Sequence, residues 1–313
     1  MPIDVTLGGE QNKMPQQEVK TDAIETNAVA ETTDSTTTSA SPVFTSQNSS
    51  TQGSTVLDGI VNIPNDEVPI IIFFGPTSCG KSMGLKRVIR YLRKKADYTT
   101  IAPERTFRPA NDLEYQADCD DFDNFVTRQT KEAGTTGYML VNVIDTEVRC
   151  RLLEAPGEYY FDPDNPQKDY PVYMNTIMGV SNPRIWCIFV EPNWLDQPDR
   201  MNYVARINAL KPNMQKNDVV LFVFNKIDSK STRHLVVSPG EIRTKEAIQF
   251  VATQYPGIFN LFKNDIPIVK WFKKYTCGFI PFQTGMYTEG SNNYADSVDD
   301  YPEMLWKAIS KYL

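Results

Sequence analysis

Unbroken apolar runs separated by polar, turn-forming segments divide this chain. From Val68 it reads VPIIIFF, too uniformly apolar for a strand with one wet face, which predicts a strand covered on both sides. Two further runs of this kind are IWCIFV at Ile185–Val190 and VVLFVF at Val219–Phe224. Tyr138–Ile144 and Arg149–Leu153 are also strand-like, and the polar stretch Asp145–Val148 between them predicts a hairpin. A short strand is predicted at Tyr98–Ile101. The helical period appears elsewhere. After residue 82, Lys86, Arg87, Arg90, Arg93, Lys94 and Lys95 alternate with Val88, Ile89, Tyr91 and Leu92, which predicts an amphipathic helix with its basic face in solvent. Helices are also predicted over Met201–Leu210, Gly240–Tyr255 and Pro302–Tyr312. A shorter one over Asp121–Glu132 would turn Phe122, Phe125 and Val126 inward. Short apolar strands alternating with helices imply an α/β fold: a doubly wound, mostly parallel sheet flanked by helices.

Residues 1–58 depart from this pattern. They are rich in Thr, Ser, Gln, Asn and Ala with almost no aromatics, so they bury too little surface to offset their ordering entropy. The expected organisation is a low-complexity disordered tail, 1–58, and one domain, 59–313. A chain of 313 residues, 41% hydrophobic, suffices for such a domain. Its net charge of −7 argues against a general nucleic-acid or anionic-membrane surface. No apolar run has the length of a membrane span, and the N-terminus has no basic-then-apolar signal pattern. Five widely spaced cysteines with no CxxC pair read as reduced thiols, in keeping with a cytoplasmic setting. A single histidine, His234, excludes a His-based triad or a multi-His metal site. The acidic cluster Asp118, Asp120, Asp121 and Asp123 lacks the Gly and terminal Glu of a calcium loop and reads as a solvated face.

The candidate chemistry begins where the first apolar run ends. GPTSCGKS, Gly75–Ser82, fits G-x-x-x-x-G-K-[ST] at every required position, between a predicted strand and a predicted helix. A polyphosphate needs several backbone N–H groups turned inward, and Gly75 and Gly80 allow the chain to wrap that closely. The helix beyond turns its positive end toward the phosphates. The predicted phosphate-binding stretch is therefore Gly75, Pro76, Thr77, Ser78, Cys79, Gly80, Lys81, Ser82 and Met83. Lys81 would reach the β- and γ-phosphates, and the Ser82 hydroxyl would ligate Mg²⁺. Two more landmarks come after it in order. Glu154 closes the second hairpin strand with Gly157 three residues on, and Asn225-Lys226-Ile227-Asp228 directly succeeds a fully apolar run.

In these three landmarks the chain, from about residue 65 onward, resembles the P-loop GTPases of the Ras-like, translation-factor-related class. Within that class it is most similar to the bacterial double-GTPase type, with its Walker A loop, acidic-x-P-G-E turn and N-K-x-D. Guanine shows N1–H and N2–H₂ donors side by side, which one carboxylate accepts in bidentate fashion, so a buried Asp228 would favour guanine over adenine. The resemblance implies that Lys226 lies over the base and that Asn225 braces the P-loop. A loop contacting the guanine oxygen maps to Phe282–Gly285, with Gln283 and Thr284 as contacts, although a plain loop fits these residues almost as well. Glu154 stands where the family has the Asp that meets Mg²⁺ through water, and Glu158 stands at the position of the water-orienting Gln. Both substitutions leave open whether hydrolysis is kept. Thr136, or its neighbour Thr135, would supply the switch hydroxyl for Mg²⁺ and the γ-phosphate. Arg105 or Arg108 would be an arginine finger in cis, though ordinary loop arginines are the plainer reading. The implied function is a Mg²⁺-dependent GTPase cycling between GTP and GDP, with Lys81, Glu158 and Thr136 in the catalytic roles and an unidentified protein effector or regulator. The aromatic stretch 158–174 is either an effector surface or cover for the core. The alternatives are a non-catalytic nucleotide-binding scaffold and a P-loop ATPase.

Overall fold

The computed structural model describes residues 61–64, 66–95, 100–128, 139–155, 157–192, 197–264, 275–287 and 294–313. The predicted tail, Tyr98, Thr135 and Thr136 lie outside the described residues, as does the side chain of Glu158. Within them seven strands form one sheet: β1 (Ile70–Phe74), β2 (Thr100–Pro103), β3 (Met139–Ile144), β4 (Val148–Glu154), β5 (Arg184–Val190), β6 (Val219–Phe224) and β9 (Gly278–Pro281). Their order across it is β2-β3-β4-β1-β5-β6-β9. β1 pairs in parallel with β4 and β5, and β5–β6 and β6–β9 are parallel too. The β2–β3 and β3–β4 pairs are antiparallel, the latter being the predicted hairpin with Met139 opposite Glu154. All five residues of β1 and all seven of β5 are buried, because helices cover both faces of the sheet.

The helices are α1 (Lys81–Lys94), α2 (Leu113–Asp120), α3 (Phe122–Thr127), α4 (Gly157–Tyr160), α5 (Val172–Gly179), α6 (Gln197–Leu210), α7 (Thr244–Gln254) and α8 (Asp300–Ile309). Two small antiparallel pairs complete the described fold, β7 (Val236–Ser238) with β8 (Glu241–Ile242), and β10 (Gly285–Tyr287) with β11 (Tyr294–Asp296). The helix predicted to begin at Asp121 is in fact preceded by a second helix, α2, and the two meet at Asp121. Phe122, Phe125 and Val126 do turn inward. The last helix falls where predicted, but β10 and β11 stand between it and the loop after β9.

One expectation is overturned. The basic face of α1 is not solvated along its length, since Lys86 and Arg87 are fully buried. The Lys86 ammonium lies 4.1 Å from the centroid of the Phe125 ring on α3. Arg87 donates to Asp299 Oδ1 at 2.5 Å and to the Ser297 carbonyl at 2.7 Å. Arg90 grips both carboxylate oxygens of Asp296. Carboxylates some two hundred residues away along the chain cover what looked like a wet stripe. The exposed basic residues at the end of α1 are Arg93, Lys94 and Lys95.

Candidate functional site

The site is built at the C-terminal ends of the parallel strands, where β1 leaves the sheet and turns into α1. The turn has a shape that side chains resist. Gly80 has φ +91°, and a Cβ placed there would lie 2.2 Å from Asn225 Nδ2. Ser78 adopts a left-handed φ of +64° without being glycine, a conformation that costs energy and persists only where its surroundings impose it. Lys81 is buried, and its ammonium donates to the Pro76 carbonyl at 2.8 Å, closing the loop on itself. The Ser82 hydroxyl donates to Glu154 Oε1. The backbone of Gly157 lies directly against the loop, since a Cβ on Gly157 would meet the Thr77 nitrogen at 2.2 Å. The first two sequence landmarks, 72 residues apart in the Ser82–Glu154 pair, are thus in hydrogen-bond contact.

The third landmark reaches the same loop. β6 lies beside β5, and the Asn225 N–H continues the ladder to the Val190 carbonyl at 2.8 Å. This sets the fully buried Asn225 side chain so that Nδ2 donates to the Cys79 carbonyl at 3.0 Å. Lys226 comes next at φ +55°, and its ammonium donates to the Ser78 carbonyl at 2.9 Å while pairing with Glu191. Asp228 is exposed rather than buried, which corrects the expectation of a buried carboxylate. Thr284 is buried, with Cγ2 3.8 Å from a Cβ built at Gly80, so the loop after β9 borders the P-loop. Gln283, half-buried, and Thr284 are held from behind by Ser297, whose hydroxyl donates to the Gln283 carbonyl at 2.5 Å and whose N–H donates to the Thr284 carbonyl at 3.1 Å. Met83, buried one position after Ser82, points into packing.

Burial dominates the electrostatics. It pushes the Glu154 carboxyl above its ordinary value, while the Ser82 hydroxyl and the Lys81 and Lys86 ammonium groups pull it back. Burial also lowers Lys86 to about 8. Glu154 Oε2 is enclosed and has no hydrogen-bond partner. An orphaned carboxylate oxygen beside a hydroxyl is the hard-oxygen chemistry that a small divalent cation takes. Among the described residues no group of three or more His, Cys, Asp or Glu side chains is arranged to hold a metal. An ion at Ser82 and Glu154 would therefore need phosphate and water oxygens to complete its shell.

Arg105 and Arg108 are engaged elsewhere. Arg105 pairs with Asp120 and Arg108 with Asp112 at 2.5 Å, both around α2, which leaves the arginine finger in cis without structural support. Two contributors carry little or no signal in the sequence. Glu191 is buried at the end of β5, and its only mark is to be the first charge after an apolar run. Ser297, behind the loop at 283–284, has none. All five cysteines are free thiols. Among the described residues no helix is long and apolar enough to cross a membrane.

No protein-family model matches the chain, and no curated sequence does so. Among solved structures it is similar to Roco2 RocCORdC from Methanosarcina barkeri bound to GDP, at 14% identity and a TM-score of 0.33, over 81% of this chain and 51% of that one. It is similar to nucleolar GTP-binding protein 1 from Plasmodium falciparum at 13% identity and a TM-score of 0.34, over 72% and 81% of the two chains. It is also similar to the GTP-bound GTPase-like domain of S. cerevisiae Ski7, at 13% identity and a TM-score of 0.39, over 79% and 51%. The chain spans about half the length of the first and third of these structures. Likenesses this distant carry no weight for ligand or activity, for which the chain's own residues are the only ground.

Proposed function

We propose that this chain is a guanine-nucleotide-binding P-loop protein, a Mg²⁺-dependent GTPase that switches between GTP- and GDP-bound states. The observation that carries the reading is the seating of Asn225 and Lys226 on the carbonyls of Cys79 and Ser78. It joins the N-K-x-D turn to the phosphate loop and leaves the exposed Asp228 carboxylate free to accept the paired donors of guanine. Gly75–Met83 would cradle the phosphates, and Gln283 and Thr284 would flank the base. On this reading the Lys81 ammonium exchanges the Pro76 carbonyl for phosphate oxygens and steadies charge as it develops on the transferred group. Ser82 and Glu154 would hold Mg²⁺, which when bound neutralises phosphate charge. Gly157, whose backbone already lies against the P-loop, would offer its N–H to the terminal phosphate. Glu158 and Thr136 are proposed to orient water and to close over the γ-phosphate. The acidic-x-P-G-E turn at 154–158 favours the bacterial double-GTPase type. A protein effector or regulator and a cytoplasmic setting belong to the same proposal.

A second reading has an observation of its own. Glu154 already occupies the Ser82 hydroxyl, and Glu154 and Glu158 stand in place of the family's Asp and Gln, which suits tight binding without turnover, as in a non-catalytic scaffold. A P-loop ATPase is the third reading, and N-K-x-D speaks against it. The deciding experiment is titration with fluorescent GDP and ADP analogues in Mg²⁺, for the parent and for Asp228→Asn. Binding of GDP but not ADP, with the guanine preference lost in Asp228→Asn, is the expected result. Equal binding of both nucleotides, or of neither, overturns the assignment. Single-turnover hydrolysis then separates the enzyme from the scaffold.

A further inference from the structure

Lys226 is held in both its backbone and its side chain. Its backbone sits in the left-handed region at φ +55°, unfavourable for a long side chain, so its neighbours must hold it there. Its ammonium is fixed at two points: the Ser78 carbonyl on the P-loop, and the Glu191 carboxylate, whose side chain is 6% exposed. Glu191 is itself anchored. Tyr255, just beyond α7, donates its hydroxyl to the Glu191 carbonyl at 2.8 Å, and the preceding residue, Val190, accepts from the Asn225 N–H. Glu191 thus ties the end of β5, the N-K-x-D turn and the P-loop together through one charged contact. The buried Glu191 carboxylate without its ammonium would be left uncompensated, which favours the pair although the Lys226 side chain is 44% exposed.

We propose that Glu191 is a positioning residue for nucleotide binding, holding the Lys226 ammonium so that its side chain and the P-loop carbonyls are set before the base arrives. The proposal rests on the guanine-nucleotide reading and adds to it a residue outside its motifs. A preset Lys226 spares the ligand the cost of ordering a flexible side chain, which is where affinity is gained. The pH dependence is set by the surroundings of Glu191. Among the described residues, the groups that face it are Lys226, the Cys79 thiol on the P-loop and the Tyr255 hydroxyl beyond α7. Burial holds both Cys79 and Tyr255 protonated and neutral across the working range, so the ion pair is lost when Glu191 itself gains a proton. Burial raises the Glu191 carboxyl and Lys226 opposes the rise. The pair is therefore present at neutral pH and fails as the pH falls toward the carboxylate range.

The test uses the full chain and a fluorescent GDP analogue. Parent, Glu191→Gln, Glu191→Asp, Lys226→Ala and the Lys226→Ala/Glu191→Gln double variant are titrated from about pH 8 down to about pH 4, below the ordinary glutamate value. Glu191→Gln is expected to weaken binding by about fivefold or more at neutral pH, with a flatter pH profile than the parent, and to add nothing in the Lys226→Ala background. Glu191→Asp keeps the charge on a shorter arm. It should bind with intermediate affinity and the parent's pH dependence, and it serves as the test should Glu191→Gln not fold. If the parent binds GDP and Glu191→Gln matches it in affinity and pH profile, or if the loss persists without Lys226, the proposal is overturned. If the parent binds no guanine nucleotide, the functional reading itself fails, and that result is distinct from either.

Discussion

Glu154 meets two opposing demands. It ends β4 inside the protein, with one oxygen on the Ser82 hydroxyl and the other enclosed without a partner. A buried carboxyl raised above its ordinary value of 4.5 binds its proton more tightly in the folded chain than in the unfolded one. Folding stability therefore declines as the pH rises from that ordinary value through the raised one, and levels off above it. A cation beside Ser82 asks for the opposite, the ionised form. Glu154→Gln should consequently melt at a higher temperature than the parent when Mg²⁺ and nucleotide are left out, by a margin that widens with pH over that window. The same variant should lose about tenfold in the enhancement that Mg²⁺ gives to GDP binding. Thermal melts across pH, paired with nucleotide titrations with and without Mg²⁺, measure both. A parent melt independent of pH, or an unchanged Mg²⁺ effect, would sink the idea that Glu154 trades stability for the ion.

At the scale of elements, the α1 arginines join parts of the chain that the sequence pattern keeps apart. Helical periodicity says which residues share a face, but not what later covers it. Arg87 and Arg90 therefore read as solvated, when Asp296 at the end of β11 and Asp299 before α8 enclose them. The P-loop and the N-K-x-D turn were legible for the opposite reason: each comes at the end of an unbroken apolar run, so its place at a strand end could be read without knowing any distant contact. The β10–β11 pair depends on such contacts and was not legible; Glu191 also ends an apolar run, but no motif marks it and its role appears only through its contact with Lys226. The covering hairpin bears on the site through Ser297, which comes after Asp296 and backs the carbonyls of Gln283 and Thr284. Cutting the hairpin's anchor should loosen that loop. Asp296→Asn removes the charge from a largely buried two-point contact with Arg90 and should cost about 2 kcal/mol in chemical denaturation. Guanine-nucleotide affinity should fall a few-fold, mainly through faster release, which stopped-flow displacement would record. A destabilised variant with unchanged release would mean that the loop is held without the hairpin.

Across the whole described domain, ligand chemistry and mechanical stability sit at opposite ends of the sheet. The C-terminal ends of β1, β4, β5, β6 and β9 carry the P-loop, Glu154, Glu191, Asn225 and the 283–284 loop. At the other end of β5, Arg184 is fully buried and paired with Asp218, whose side chain is 1% exposed. Asp218 also accepts from the Trp186 indole at 3.0 Å and the Gln215 N–H at 3.1 Å. Arg184 donates to the carbonyls of Ile177 and Met178 on α5 at 3.2 and 2.8 Å. This network joins the end of α5 to the strands β5 and β6 and touches no residue of the candidate site. Removing one partner leaves a buried charge uncompensated, so Asp218→Ala should destabilise the domain by about 3–5 kcal/mol. The cause is the stranded guanidinium rather than a cavity, so replacing both Arg184 and Asp218 by apolar residues of similar volume should recover much of the loss. At a temperature where Asp218→Ala is still folded, its affinity for GDP should equal that of the parent, because the network's hydrogen bonds and ion pair end on residues outside the candidate site. Urea denaturation and nucleotide titration on the same preparation test the two halves together. A fall in affinity without unfolding would show that the strand couples its two ends, and stability could then not be altered at one end without altering binding at the other.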